Sequence, residues 1–225
     1  MAFRYGPGRD RQVTRGSGFK TGMGIVYTAL SAGLGLAACS STLTYTPAVE
    51  MLNRYDQAPP SPSRFAYCYG YGCRTAVEPA QLGDDWAAIE ALFASAAQSP
   101  AEERARMAET VARFEQSMGA RYGTAADKGG TFTSFGRPGQ LDCIDEALNT
   151  TTLLRMLKSQ GLLAWHDVAA PVQRGFIVGS WPHVTAVVVE HQTTAAYAID
   201  SWFRDNGQRA DVVPVDAWLD GWAPG

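Results

Sequence analysis

Gly161 divides this sequence into two regimes of hydrophobic spacing, and the division limits the folds open to it. From Asp84 to Gly161 apolar side chains recur at three- and four-residue steps, the mark of helices with one buried face. Beyond Gly161 they come in short β-like runs. The helical part reads as three segments, and Trp86, Ile89, Leu92 and Phe93 mark the first. The second opens at Ser99-Pro100-Ala101-Glu102, where Ser99 can cap, Pro100 suits the first turn and Glu102 can reach back. It continues through Met107, Val111 and Phe114. A loop over 119–140 holds six glycines, after which Asp142, with Asp145 three residues on, caps a third helix. Ile144, Ala147, Leu148, Leu154 and Leu157 give that helix its apolar stripe. The β-like runs are 162–168, 176–178, 184–189, 195–199 and 212–215, and residues 215–219 add a last helical turn. Helices followed by an antiparallel meander make an α+β fold.

The chain has 225 residues, 46% apolar and 18% charged, which excludes a disordered or fibrous protein. Residues 1–38 read as a targeting segment: Arg4, Arg9, Arg11, Arg15 and Lys20 precede an uncharged run, 21–38, that ends in Leu36-Ala37-Ala38 before Cys39. That run is also long enough for an uncleaved membrane anchor, although Gly22, Gly24, Gly33 and Gly35 make it less apolar than typical spans. What remains suits one domain. A tether and irregular lead-in rich in Pro, Ser and Tyr occupies 39–83, and the folded domain 84–225. Of 19 basic and 22 acidic side chains, 14 and 21 lie after residue 38, a net −7 with no Lys/Arg stripe. No nucleic-acid partner is therefore expected. With no phosphate-binding glycine loop and no C-x-x-C pair, no cofactor and no metal is expected.

The run ending at Cys39 resembles the signal of a bacterial lipoprotein, whose lipobox is an apolar residue, two small residues and a cysteine that becomes lipidated and N-terminal. The resemblance implies palmitate on Cys39, a membrane partner through that lipid and a place in the cell envelope. Ser40 after the cysteine implies the outer membrane, facing the periplasm, in a Gram-negative cell. Export puts the folded part in an oxidising space. There Cys68 and Cys73, in CYGYGC, can close a small disulfide loop, a pair of free thiols being the other reading.

The cysteine left over is Cys143, in the first turn of the third helix, where unpaired N–H groups and the helix dipole favour a thiolate. Asp142, Asp145 and Glu146 oppose this by surrounding the thiol with negative charge. His183 opens the run HVTAVVV and Asp200 closes AAYAID. With a hairpin loop centred between His191 and Gln192, opposed residues have numbers summing to 383, so His183 faces Asp200 as a base with its orienting carboxylate. A slip of one residue would part them. The plain alternatives are a buried apolar role for Cys143 and a structural one for His183. His166 beside Asp167 competes as a base, and His191 falls in a turn. Asp142, Cys143, Asp145 and His183 are too poor in soft ligands to favour a metal. Trp165, Trp181 and Trp202 either wall a cleft or pack a core, and Asn149 with residues 150–152 reads as surface or packing.

A helix-start Cys followed by His and Asp on neighbouring strands resembles the transglutaminase-like branch of the papain-type cysteine hydrolases. The residues carrying the likeness are LDCIDEALNTTTLLRMLKSQG, WPHVTAVVVE and AYAIDSWF, within residues 136–222. It implies a transglutaminase-like core in which Cys143 attacks an amide or peptide carbonyl, His183 shuttles the proton and Asp200 holds the imidazole, giving a thioester. Cys143's own N–H, and Gln140 from the nearby loop, would stabilise the oxyanion. The aromatic-rich sequence that follows the cysteine in cross-linking transglutaminases is missing, which favours water as acceptor. A peptide, protein or peptidoglycan substrate is implied. Two alternatives stay open: a non-catalytic envelope lipoprotein of the same fold that binds peptide or glycan, and a peptidoglycan peptidase of the NlpC type. The latter shares the Asp-Cys start, but Ile144-Asp145 replaces its expected Ser-Gly.

Overall fold

The computed structural model describes residues 59–131, 137–175 and 182–225. The signal segment with Cys39, the tether to residue 58, the β-like run 176–178 and Trp181 lie outside the described residues. In chain order the elements are strands β1 (Phe65–Tyr69) and β2 (Thr75–Ala80), helix α1 (Asp85–Glu90) with a 3₁₀ turn (Ala91–Phe93), α2 (Pro100–Tyr122) and α3 (Cys143–Ser159). Then come β3 (His166–Arg174), β4 (His183–Glu190), β5 (Ala196–Asp200), β6 (Asp211–Pro214) and α4 (Val215–Leu219). The four later strands form one antiparallel sheet in sequence order, an α+β architecture.

The caps act as their residue types require. The Ser99 hydroxyl accepts the Glu102 N–H at 3.1 Å, and the Glu102 carboxylate takes the N–H of Gln98 at 2.8 Å, one residue before the cap. α2 runs past Gly119, where the loop was expected to begin. A Cβ at Gly119 would meet Ala125 Cα at 2.9 Å, so this glycine admits the returning chain, and Gly123 ends the helix at φ 80°. At α3, Asp142 accepts from Ile144 and Asp145 N–H groups while Asp145 reaches back to the Asp142 N–H, a complete capping box.

α3 is the central element. From Asp145 to Leu154 every residue is buried, the polar Asn149 and Thr150–Thr152 included. Met107, Val111, Phe114 and Met118 of α2, Leu153, Leu154, Met156 and Leu157 of α3, Ala186, Val188 and Ile199 of the sheet, and Phe65 and Tyr67 of β1 share one core. β3 begins and ends later than expected, and its pairing with β4 is irregular between Ala169 and Val172, on either side of Pro171.

The lead-in is more ordered than its sequence shows. β1 and β2 pair as a hairpin, Tyr69 opposite Thr75, and Cys68 and Cys73 stand at disulfide distance with Cα atoms 4.7 Å apart. Between them Gly70, Tyr71, Gly72 and Cys73 are all left-handed, at φ 89°, 66°, 69° and 51°. The hairpin docks on α3 through Asn149, whose side chain accepts the Cys68 N–H and donates to the Cys68 carbonyl, both at 2.8 Å. One amide thus replaces a missing strand partner, which no hydrophobic period could signal.

Candidate active site

Helix α3 delivers Cys143 as its first residue, and strands β4 and β5 deliver His183 and Asp200 at their ends. The hairpin register differs from the expected one. Val187 faces Ala198 and Val189 faces Ala196, so opposed numbers sum to 385, and Glu190 bonds Ala195 across a four-residue turn. Thr194 takes the left-handed conformation, φ 58°, that this turn needs. Asp200 is therefore a diagonal neighbour of His183 rather than directly opposed. A shift of two in the sum keeps both side chains on one face, and diagonal pairs remain within reach of long side chains. His183 Nε2 and Asp200 Oδ2 lie 2.7 Å apart, both side chains buried.

Two groups hold the carboxylate from behind. The Trp218 indole N–H donates to Asp200 Oδ2 at 2.7 Å, and the Trp202 backbone N–H donates to Oδ1 at 3.2 Å. The imidazole sits among aromatic rings, with centroids 4.8 Å from Trp202, 5.1 Å from Phe203 and 5.3 Å from Trp218. Its other nitrogen, Nδ1, is buried without a hydrogen-bond partner. Trp218 and Phe203 escaped the sequence reading, because a bulky apolar residue in a short terminal helix or loop looks like any other packing residue. Trp202 borders the imidazole, but Trp165 is occupied elsewhere, donating its N–H to Glu103 and its indole N–H to the Ala97 carbonyl.

Cys143 lines one narrow crevice with Glu146, Val184, Thr185, Asp200, Ser201 and Trp202, and the crevice has no room for a water molecule. The ladder between β4 and β5 stops at Ala186 and Ile199, and the Val184 N–H turns to the Cys143 sulfur. Burial, with Asp142, Asp200 and Glu146 nearby, pushes the half-buried thiol up to about 12, against the pull of that N–H and of the helix start. In this state the thiol is protonated at neutral pH and makes no hydrogen bond to His183 Nδ1. Below it, burial and the neighbouring Glu115 and Asp127 hold Glu146 well above the usual carboxylate range, and the Ser201 hydroxyl donates to it.

Gln140 is engaged elsewhere. Its amide accepts the Lys128 N–H at 3.2 Å and donates to the Ala126 carbonyl at 2.7 Å, tying the loop before α3. His166 is wholly buried between Glu103, 2.9 Å from Nδ1, and Arg104, 3.1 Å from Nε2, so both ring nitrogens are occupied. His191 pairs with Asp167 at 3.1 Å on the surface. Among the described residues no group of three or more His, Cys, Asp or Glu could hold a metal ion, and no helix is long and apolar enough to cross a membrane. Asp145 serves the fold, accepting the N–H groups of Tyr71 at 2.8 Å and Cys73 at 2.6 Å. Burial and Asp142 push it up to about 7. Comparison with protein-family models, with curated proteins and with solved structures finds no match, so the functional reading rests on this geometry.

Proposed function

We propose that this chain is an exported thiol hydrolase or acyltransferase with a transglutaminase-like core, acting on an amide or peptide bond through Cys143, His183 and Asp200. One observation carries the reading: the carboxylate that lines the same crevice as a helix-start thiol is tied to Nε2 of a buried imidazole whose Nδ1 has no partner. A structural histidine satisfies both nitrogens, as His166 does. In the reaction His183 Nδ1 takes the thiol proton as the sulfur attacks the carbonyl carbon. The tetrahedral oxyanion collapses, the amine leaves with that proton, and a thioester remains on Cys143. Water, deprotonated by His183, then releases the acid and the free thiol. Because the resting thiol is protonated, the imidazole must act in concert with attack, and substrate must open the crevice; catalytic hydrogen bonds of this kind commonly tighten only on binding.

The closed crevice and the high thiol pKa favour a second reading, a non-catalytic envelope protein that binds peptide or glycan with the same fold. Acylation by p-nitrophenyl acetate separates the two. The enzyme reading expects an acyl group on the Cys143 peptide, none in Cys143→Ala, and acylation slowed about 10²-fold or more in His183→Ala. Equal rates in wild type and His183→Ala would leave only the binding reading. We further propose anchoring through lipidated Cys39 in the cell envelope, at the outer membrane facing the periplasm in a Gram-negative cell. Cys39→Ala should abolish palmitate incorporation and release the protein from the membrane fraction.

A further inference from the structure

We propose that Trp218 is a positioning residue that sets the tautomer of His183 by orienting Asp200, an inference resting on the proposed thiol chemistry. Asp200 is 2% exposed, and no Lys or Arg bonds to it among the described residues. Two N–H groups donate to it, Trp218's to Oδ2 at 2.7 Å and Trp202's to Oδ1 at 3.2 Å, and His183 Nε2 also lies 2.7 Å from Oδ2. The indole N–H donates and never accepts. An oxygen already receiving it is held as an acceptor, so the hydrogen between Oδ2 and His183 belongs to Nε2. The lone pair of the neutral ring is then on Nδ1, the nitrogen with no partner.

Trp218 is itself locked. It is fully buried, the Arg174 guanidinium lies 4.4 Å from its ring centroid, and Arg174 donates to its carbonyl. Arg174 is also the β3 register partner of His183. The short helix α4 thus reaches back to the ends of β4 and β5 with an N–H for the carboxylate and a ring face for the imidazole. The charged groups tied to His183 are Asp200 on β5, at its Nε2, and Arg174 on β3, its register partner; Asp200 in turn shares a crevice with Cys143 and Glu146 on α3.

The test uses the full chain in detergent with ¹⁵N-labelled histidine. Long-range ¹H–¹⁵N spectra of wild type should show His183 protonated at Nε2. Trp218→Phe keeps an aromatic ring and removes the donor; its His183 should become a mixture of tautomers. Its acylation by the ester should slow about tenfold to a hundredfold, with half-saturation unchanged, as expected for losing a hydrogen bond to a charged group. A merely structural role would lower the melting temperature and leave the tautomer and the acylation rate as they were, and that result overturns the proposal. So does a wild-type His183 protonated at Nδ1. Should Trp218→Phe not fold, the wild-type indole proton decides: slow exchange with solvent is expected, and fast exchange overturns the assignment. A wild type that never acylates sinks the enzyme reading while the tautomer still tests the role of Trp218.

Discussion

A methyl group added at Gly129 would lie 2.5 Å from the carbonyl carbon and oxygen of Phe203, which is backbone and cannot step aside. Here the Gly129 N–H bonds the Asp205 side chain, and the Gly130 N–H bonds the Trp202 carbonyl at 2.7 Å. The glycine-rich loop therefore braces the segment whose aromatic rings border His183. Gly129→Ala should cost about 1–3 kcal/mol in thermal or urea unfolding. It should also slow Cys143 acylation by shifting Trp202 and Phe203. The sequence marks this loop as irregular and rich in glycine, yet nothing local distinguishes a glycine that merely turns from one that admits a neighbouring backbone, because the neighbour arrives from 74 residues away.

Among the elements, α3 carries Cys143, the clamp on the hairpin and much of the core. Its capping box was readable from Asp142 and Asp145, since capping depends on residues three apart. The burial of Asn149 was not readable, because a polar residue on a helix is buried only if another segment brings the groups it can bind. Asn149→Ala would strand the N–H and carbonyl of Cys68 without partners. It should cost about 2–4 kcal/mol, read from the urea midpoint. The β4–β5 hairpin shows the converse: its register depended on a turn that composition does not specify, but parity survived. Each face of a strand recurs every second residue, so a register change of two moves His183 and Asp200 along a face and not across it.

For the whole molecule the chief electrostatic feature is the carboxyl cluster under the crevice. Burial raises Asp127 and Glu146 above their ordinary values, Glu146 well above, with Glu115 and Asp127 adding repulsion. A carboxyl raised in the folded state binds its proton more tightly there than in the unfolded chain. Its stabilising contribution is complete below the unfolded value, about 4, and is lost as pH rises through the folded value. The melting temperature should therefore fall from mildly acidic towards alkaline pH, and the uncharged Glu146→Gln should weaken that slope. Glu190, held low by its bond with Arg104, acts in the opposite sense and only at more acidic pH. Beyond the lead-in, the sequence by itself determined that helices come first and strands follow, the helix caps and the pairing face of His183 with Asp200. These follow from spacing and chemistry within one segment or one hairpin. Tertiary structure alone decided that Cys143 shares a crevice with Asp200, that the Gln140 amide bonds within its own loop and that Trp218 holds Asp200. Each of these is a contact between segments far apart in the chain, whose meeting depends on how α3, the sheet and α4 fill a common volume.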